Sequence, residues 1–159
     1  MVINNNKYKN TKLWYDTRNC VTYPTKATAD CICFDSRFEL IIYQLLRDYY
    51  PRDAILIHHP IVVKPATKRY PALKWRVDFY IDSSKDSFAN QDILVEAKGV
   101  PTPDFKHKLQ LFELQHPDLF PYLYIVGNYK SEKIDRNVTS MSKEDLINKL
   151  KQFKRMNNF

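Results

Sequence analysis

The spacing of hydrophobic and polar positions changes several times along this chain, and the changes mark out its elements. Phe38, Ile41, Ile42, Leu45, Leu46 and Tyr49 recur at helical spacing, which predicts an amphipathic helix from about Leu40 to Tyr50 with those residues on its buried stripe. Ser36-x-x-Glu39 gives its start the spacing of a capping box, and Pro51 ends it. Ile55 to Val63 is rich in β-formers but interrupted by Pro60, so it predicts two short strands or one bent edge strand. Thr67 to Leu73 reads as a basic loop. The period then becomes two in Trp75 to Asp82 and again in Asp92 to Gly99, with the polar segment Ser83 to Gln91 between them, which predicts an antiparallel hairpin with a long turn. Alternation sets Val77, Phe79 and Ile81 on one face and Arg76, Asp78 and Tyr80 on the other. On the second strand it sets Ile93, Val95 and Ala97 against Leu94, Glu96 and Lys98.

A second helix is expected from Thr102-Pro103-Asp104 to about Gln115, with Phe105, Leu109 and Phe112 inward and Lys106, His107, Lys108 and Gln110 off that stripe. Leu119 to Val126 reads as a further buried strand ended by Gly127-Asn128. Ser142 opens a last helix with Leu146, Ile147, Leu150 and Phe153 inward and Lys143, Lys149, Lys151, Lys154 and Arg155 outward. Residues 1 to about 30 carry no sustained period and are expected to form an arm or a loose edge strand. The order helix, three strands, helix, strand, helix is an α/β pattern, a small mixed β-sheet flanked by helices. Residues 1–30 are then an arm or edge extension, residues 31–128 the core, and residues 129–159 a basic amphipathic helix of the same single domain.

Bulk properties narrow the function classes. A length of 159 residues suits one domain with a substantial core. The formal charge of +7 leaves an unpaired cationic surface, whose usual partners are nucleic acid or anionic membrane. No run approaches the roughly 18 apolar residues of a membrane span, and the polar Met1 to Lys12 lacks the apolar region of a secretory signal. An intracellular, cytoplasmic protein without membrane partners is therefore expected. Cys20, Cys31 and Cys33 are read as reduced, since a zinc site built on them would need a fourth ligand and a different spacing. The chain has 2 glycines, Gly99 and Gly127, which excludes glycine-rich phosphate loops.

Asp78, Glu96 and Lys98 on neighbouring strands are the residues with chemistry to offer. Phosphodiester hydrolysis needs an activated water and neutralised charge on phosphate, and Mg²⁺ held by carboxylates supplies both, with Mn²⁺ able to substitute. In that reading Asp78 and Glu96 are metal ligands, the backbone carbonyl of Ala97 is a further one, and Lys98 orients or deprotonates the water. Glu39, at the margin of its helical stripe, is a further acid able to reach the metal. The same residues have plainer uses: Glu39 as the capping-box partner of Ser36, and the others as ordinary cross-strand ion pairs. Lys68, Arg69, Lys106, Lys108 and His59 are candidate nucleic-acid contacts.

Val77-Asp78 followed by Glu96-Ala97-Lys98-Gly99, with Phe38-Glu39-Leu40 on a preceding helix and Lys106 and Lys108 on a following one, resembles the PD-(D/E)XK nuclease superfamily. Small phage-type endonucleases are similar in Lys7-Tyr8-Lys9-Asn10-Thr11-Lys12, Phe34-Asp35-Ser36-Arg37-Phe38-Glu39, His59-Pro60, Val77-Asp78-Phe79 and Val95-Glu96-Ala97-Lys98-Gly99. The endonuclease subunits of some bacterial transposases are similar in the same order of parts. Val77 stands where many members have proline, and Leu13 to Cys33 is longer than expected before the first helix. The resemblance implies a restriction-endonuclease-like core, metal ligation by Asp78 and Glu96, a catalytic Lys98 and an auxiliary acid at Glu39. It also implies a Mg²⁺-dependent endodeoxyribonuclease acting on phage or mobile-element DNA or on branched junctions, located in the host cytoplasm if phage-encoded. Cutting both strands takes two active sites, so a homodimer is the default expectation. The alternative is a non-catalytic nucleic-acid-binding or assembly subunit of a recombination or transposition complex.

Overall fold

The computed structural model describes residues 12–87, 89–97, 102–127, 134 and 138–156. Lys98 and Gly99, and the stretch Lys7 to Thr11, lie outside the described residues, as do the side chains of Phe153, Lys154 and Arg155. The chain divides into two compact units, Met1–Gln44 and Leu45–Phe159, so the division falls inside the first long helix rather than near residue 30.

In the first unit, β1 (Leu13–Asp16), β2 (Val21–Tyr23) and β3 (Cys31–Phe34) form an antiparallel sheet in the order β2-β1-β3. For residues 1–30 the expectation is an arm or a loose edge strand, and β1 and β2 fall within their described part. The strands are only three or four residues long and show no clear alternation, and a side chain ties them together. Asp16 is 1% exposed and accepts hydrogen bonds from the backbone N–H groups of Arg18 and Asn19, from Asn19 Nδ2 and from the Thr28 hydroxyl at 2.9 to 3.2 Å. The Asn19 N–H contributes most to holding its carboxyl below the usual Asp range; burial opposes, and the Arg18, Asn19 and Thr28 donors outweigh it. One carboxylate thus closes the β1–β2 turn and ties it to the segment leading into β3. Edge-on and tilted packing of Tyr15, Phe34 and Tyr43, with ring centroids 5.3 to 6.5 Å apart, supplies the apolar side of this unit.

The first helix, α1, is Arg37–Arg47. Its buried residues are Glu39, Leu40, Ile42, Tyr43, Leu45 and Leu46, whereas Ile41, expected inward, is exposed. The helix is amphipathic, and Ile41 lies at the margin of its apolar arc, beside Arg37 and Gln44 at i−4 and i+3. It ends where Arg47 Nη1 caps the Tyr50 carbonyl at 3.0 Å, one residue before Pro51.

The second unit holds a mixed four-stranded sheet in the order β4-β5-β6-β7. β4 (Ile55–Lys64) is a single edge strand despite Pro60, with a bulge between Val62 and Lys64, and β5 (Leu73–Ile81) pairs with it antiparallel. Leu73, expected in the preceding loop, opens β5 instead. β6 (Ile93–Ala97) pairs antiparallel with β5, which is the expected hairpin, and β7 (Leu123–Val126) pairs parallel with β6. A 3₁₀ turn at Phe120–Tyr122 takes the start of the run expected to be strand. Met141 closes the outer side of β7: its N–H donates to the Ile125 carbonyl and its carbonyl accepts from Gly127, both at 2.8 Å. The far edge is β4, where Pro60 blunts pairing with a further strand.

α2 (Pro103–Gln115) begins at Thr102, whose hydroxyl accepts from the Phe105 N–H at 3.2 Å, and buries Phe105, Leu109 and Phe112 as its periodicity predicts. Trp75 meets Phe105 and Phe112 edge-on, at 6.0 and 5.6 Å between ring centroids, within a core that includes Ile61, Val63, Val77 and Ile125. At the end of α2, His116 Nε2 lies 2.7 Å from the Val62 carbonyl, tying the helix to β4. α3 (Lys143–Met156) buries Leu146 and Leu150, as expected, with Ile147 half-buried.

Candidate metal-binding carboxylate pair

The β5–β6 register pairs Ile81 with Ile93, Tyr80 with Leu94 and Phe79 with Val95. One step further it sets Asp78 opposite Glu96, on one face of the sheet. At that step two backbone N–H groups are taken by side chains: Asp78 N–H donates to Glu96 Oε2 at 3.0 Å, and Ala97 N–H donates to Asp78 Oδ2 at 2.8 Å. The two carboxylates therefore clasp each other's strands at the end of the ladder. Glu96 is 7% exposed, because β6 is covered on both faces between β5 and β7, whereas Asp78 is half-buried. Each backbone bond fixes one oxygen of its carboxylate.

Two acids on facing positions repel when both are ionised, and a N–H donated to each lowers that cost only in part. A divalent cation would offset the remainder. The donor set at this strand end, two carboxylates and the Ala97 carbonyl, consists of hard oxygens, the type that suits Mg²⁺ or Mn²⁺. The residues present therefore fit such an ion.

The other residues expected at the site divide between the two units. Glu39 belongs to the first. It is 8% exposed, accepts the Asp35 N–H at 3.1 Å, and donates its own N–H to the Ser36 hydroxyl at 3.2 Å. These are the bonds of a helix N-terminal cap, and they place Glu39 within the buried arc rather than at its margin. Lys98, the expected catalytic lysine, lies outside the described residues. Lys108 is engaged with Asp104 at 2.9 Å, one turn back on α2, while Lys68 and Arg69 are exposed in the β4–β5 connection.

His59, a candidate nucleic-acid contact, lies on β4. His58 has φ 50°, in the left-handed region, a strain of about 1 kcal/mol for a residue with a Cβ. Regular alternation would send His59, paired with Val77, away from the face of Tyr80. The break at His58 brings the two rings to 5.1 Å instead. Tyr80 in turn donates its hydroxyl to Asp92 Oδ2, and Asp92 Oδ1 accepts from the Ser83 N–H at 2.8 Å and the Ser83 hydroxyl at 2.6 Å. Burial and the Asp92 hydrogen bond push the Tyr80 phenol well above its ordinary value, so it stays protonated. Burial opposes ionisation of Asp92, but the Ser83 and Tyr80 donors outweigh it and hold the carboxyl below its ordinary value. Tyr80 and Asp92 were not among the expected site residues. The signal available for them was the position of Tyr80 on the face of Asp78, without which Asp92 reads only as a turn residue.

The three cysteines are thiols, with Cys20 exposed, Cys31 buried and Cys33 between. The Thr28 hydroxyl beside Cys31 Sγ at 3.4 Å holds that thiol below its usual range against the effect of burial. No described helix is long and apolar enough to cross a membrane. Compared with family models, with curated proteins and with solved structures, the chain gives no match.

Proposed function

We propose that the protein is a Mg²⁺-dependent endodeoxyribonuclease with a restriction-endonuclease-like core, hydrolysing phosphodiester bonds in phage or mobile-element DNA or at branched junctions. The observation that carries this reading is the facing pair Asp78 and Glu96 at the end of the β5–β6 ladder, clasped to each other's backbone. The run of elements α1, β4, β5, β6, α2, β7 supports it, since it brings Val77-Asp78 and Glu96-Ala97 onto adjacent central strands.

Asp78 and Glu96, with the Ala97 carbonyl, would hold the ion. The ion supplies charge neutralisation at phosphate and a more acidic water. The chain's own contribution is placement. The Ala97 N–H holds Asp78, the Asp78 N–H holds Glu96, and the buried β6 keeps both from rotating into solvent. Lys98, next along the chain, is the proposed group that orients the water or relieves charge on the phosphate.

The test is cleavage of supercoiled, linear, nicked and four-way-junction DNA with Mg²⁺ or Mn²⁺, comparing the wild type with Asp78→Asn and Lys98→Ala. Cleavage lost in both variants while DNA binding persists supports the reading; intact DNA on every substrate with the wild type sinks it.

A second reading is a non-catalytic nucleic-acid-binding or assembly subunit. It is favoured by the backbone hydrogen bonds of Asp78 and Glu96, which give both acids a structural use without any ion. Calorimetry separates the two: heat of Mn²⁺ binding that disappears in Asp78→Asn belongs to the nuclease, and no heat in the wild type belongs to the module.

A further inference from the structure

From Ala54 to Val77 the sequence has no Asp or Glu, yet it carries Lys64, Lys68, Arg69, Lys74 and Arg76. The fold turns this stretch into the β4–β5 hairpin, and every one of those cations is exposed on it. None of them forms an ion pair with another described residue. Residues 64–71 are exposed without a break, and Tyr70 is 72% exposed among the cations.

The backbone of the hairpin is anchored despite that exposure. On β5 the exposed Lys74 and Arg76 alternate with Trp75 and Val77, which sit in the core against α2, as Ile61 and Val63 of β4 do. At the tip, the Thr67 N–H donates to the Tyr70 carbonyl at 2.9 Å and the Tyr70 N–H donates to the Thr67 hydroxyl at 3.1 Å, between Pro65 and Pro71. The backbone that carries the charges is thus already hydrogen-bonded and packed, which lowers the ordering cost of binding. Lys74, Arg76 and Asp78 share one face of β5 at successive two-residue steps of about 7 Å. Arg76 Nε lies 3.4 Å from the His58 carbonyl, on the strand position that faces Asp78.

We propose that the β4–β5 hairpin is an arm that binds duplex DNA through its phosphates and leads the backbone along Lys74 and Arg76 to Asp78 and Glu96. The proposal deepens the nuclease reading, since it names the element that holds the substrate. A two-stranded ribbon fits the major groove, about 12 Å wide, and the cations at the end of β4 (Lys64), at the tip (Lys68 and Arg69) and along β5 (Lys74 and Arg76) are placed to reach phosphates on its walls. A membrane suits this hairpin less well: its apex is Lys68-Arg69 rather than an apolar tip, so insertion would drag charge toward the hydrocarbon.

The experiment measures binding of the full chain to a fluorescein-labelled 24-base-pair duplex by anisotropy, in EDTA, across 50 to 200 mM KCl. Divalent ions are absent, so binding is read independently of cleavage. K68A/R69A/K74A is compared with K26A/K149A/K151A, which removes the same charge from exposed positions elsewhere. For three lost phosphate contacts the salt slope falls by about 2.7, so the fourfold rise in salt weakens the wild type about 40-fold more than the arm variant. The control variant keeps the wild-type slope. Equal slopes in the arm variant and the wild type, equal losses in both variants, or no duplex binding by the wild type each overturn the arm. A loss confined to vesicles of phosphatidylserine and phosphatidylcholine, with DNA binding unchanged, also overturns it and assigns the hairpin to membrane. Arm-dependent binding without cleavage in Mg²⁺ upholds the arm and removes the nuclease; cleavage with an unchanged slope does the reverse.

Discussion

Buried carboxylates occur in both sheets, but they are held in opposite ways. Asp16, in the first unit, draws its donors from Arg18, Asn19 and Thr28, the residues around a single turn and the segment that follows. Asp78 and Glu96, in the second, take backbone N–H groups from each other's strands across 18 and 19 residues of sequence. A turn needs one acceptor facing several local donors, and Asp16 meets that need fully. A ladder needs no acids at all, because backbone groups already satisfy one another. Two facing acids at the end of a ladder carry a like-charge cost that a turn acid facing local donors does not, and the difference marks Asp78 and Glu96, rather than Asp16, as the pair to test for chemistry.

The comparison is broken most directly by amide substitutions, which keep shape and remove charge. Asp78→Asn and Glu96→Gln are each expected to lower cleavage of plasmid DNA in Mg²⁺ on the order of a thousandfold, the several kcal/mol a metal site contributes to a transition state. Asp16→Asn is expected to leave the cleavage rate unchanged in the same assay at a temperature where it stays folded. Equal losses in all three would remove the distinction between a structural and a chemical acid.

Core truncation asks whether the two sheets also differ as cooperative units. Phe112→Ala, which removes one of the two α2 rings packed on Trp75, is expected to cost about 3–5 kcal/mol in urea unfolding. In native-state hydrogen exchange the protection lost should fall on β4 to β7. Uniform loss across β1 to β3 as well would show one cooperative unit where the contacts draw two.

Acid titration sharpens the comparison further. Asp16 and Asp92 both have carboxyls held below the ordinary value, which is ~3.9 in an unfolded chain. Each therefore adds stability that is present above about pH 4 and is lost as pH falls through its folded value. Melting temperatures between pH 2 and 7 should fall on the acid side in the wild type, and Asp16→Asn and Asp92→Asn should each flatten that fall. On the alkaline side the sign reverses for Tyr50, which burial pushes up to about 12, so its contribution holds to pH 10 and fades toward 12; Tyr50→Phe removes that dependence.

The smallest effect is expected at Lys108. Its pairing with Asp104 is a surface i,i+4 contact, so Lys108→Ala should change stability by roughly 0.3–0.5 kcal/mol, less at high salt. A larger loss, read by denaturant midpoint, would give Lys108 a role beyond its helix.

Legibility in the sequence followed the range of the interactions. α2 could be read almost completely, because Thr102, Pro103 and the Phe105, Leu109, Phe112 stripe act within one helix. Alternation in β5 also held, with Trp75, Val77, Phe79 and Ile81 buried in turn. In α1 the expected Ile42, Leu45 and Leu46 are buried, but the arc is shifted at its margins, with Ile41 outside and Tyr43 inside, since marginal positions are settled by what packs on the helix. β1 and β2 escaped notice because their order comes from the bonds of Asp16 rather than from a hydrophobic period. His59 was legible as a residue but not as a partner of Tyr80, because the left-handed backbone at His58 overrides alternation.

By itself the sequence determined the α/β order, the α2 cap and stripe, the two-residue period of the central hairpin, and the acid-free, basic run from Ala54 to Val77. Each of these depends on neighbours within a few positions. The tertiary structure alone decided that Asp78 stands opposite Glu96, and that each acid takes a backbone N–H of the other's strand. A one-residue slip between β5 and β6 keeps every local propensity and sends the two acids to opposite faces. Only the packing of Phe79, Ile81, Ile93 and Val95 into a common core penalises that slip, and so fixes the register that brings the carboxylates together.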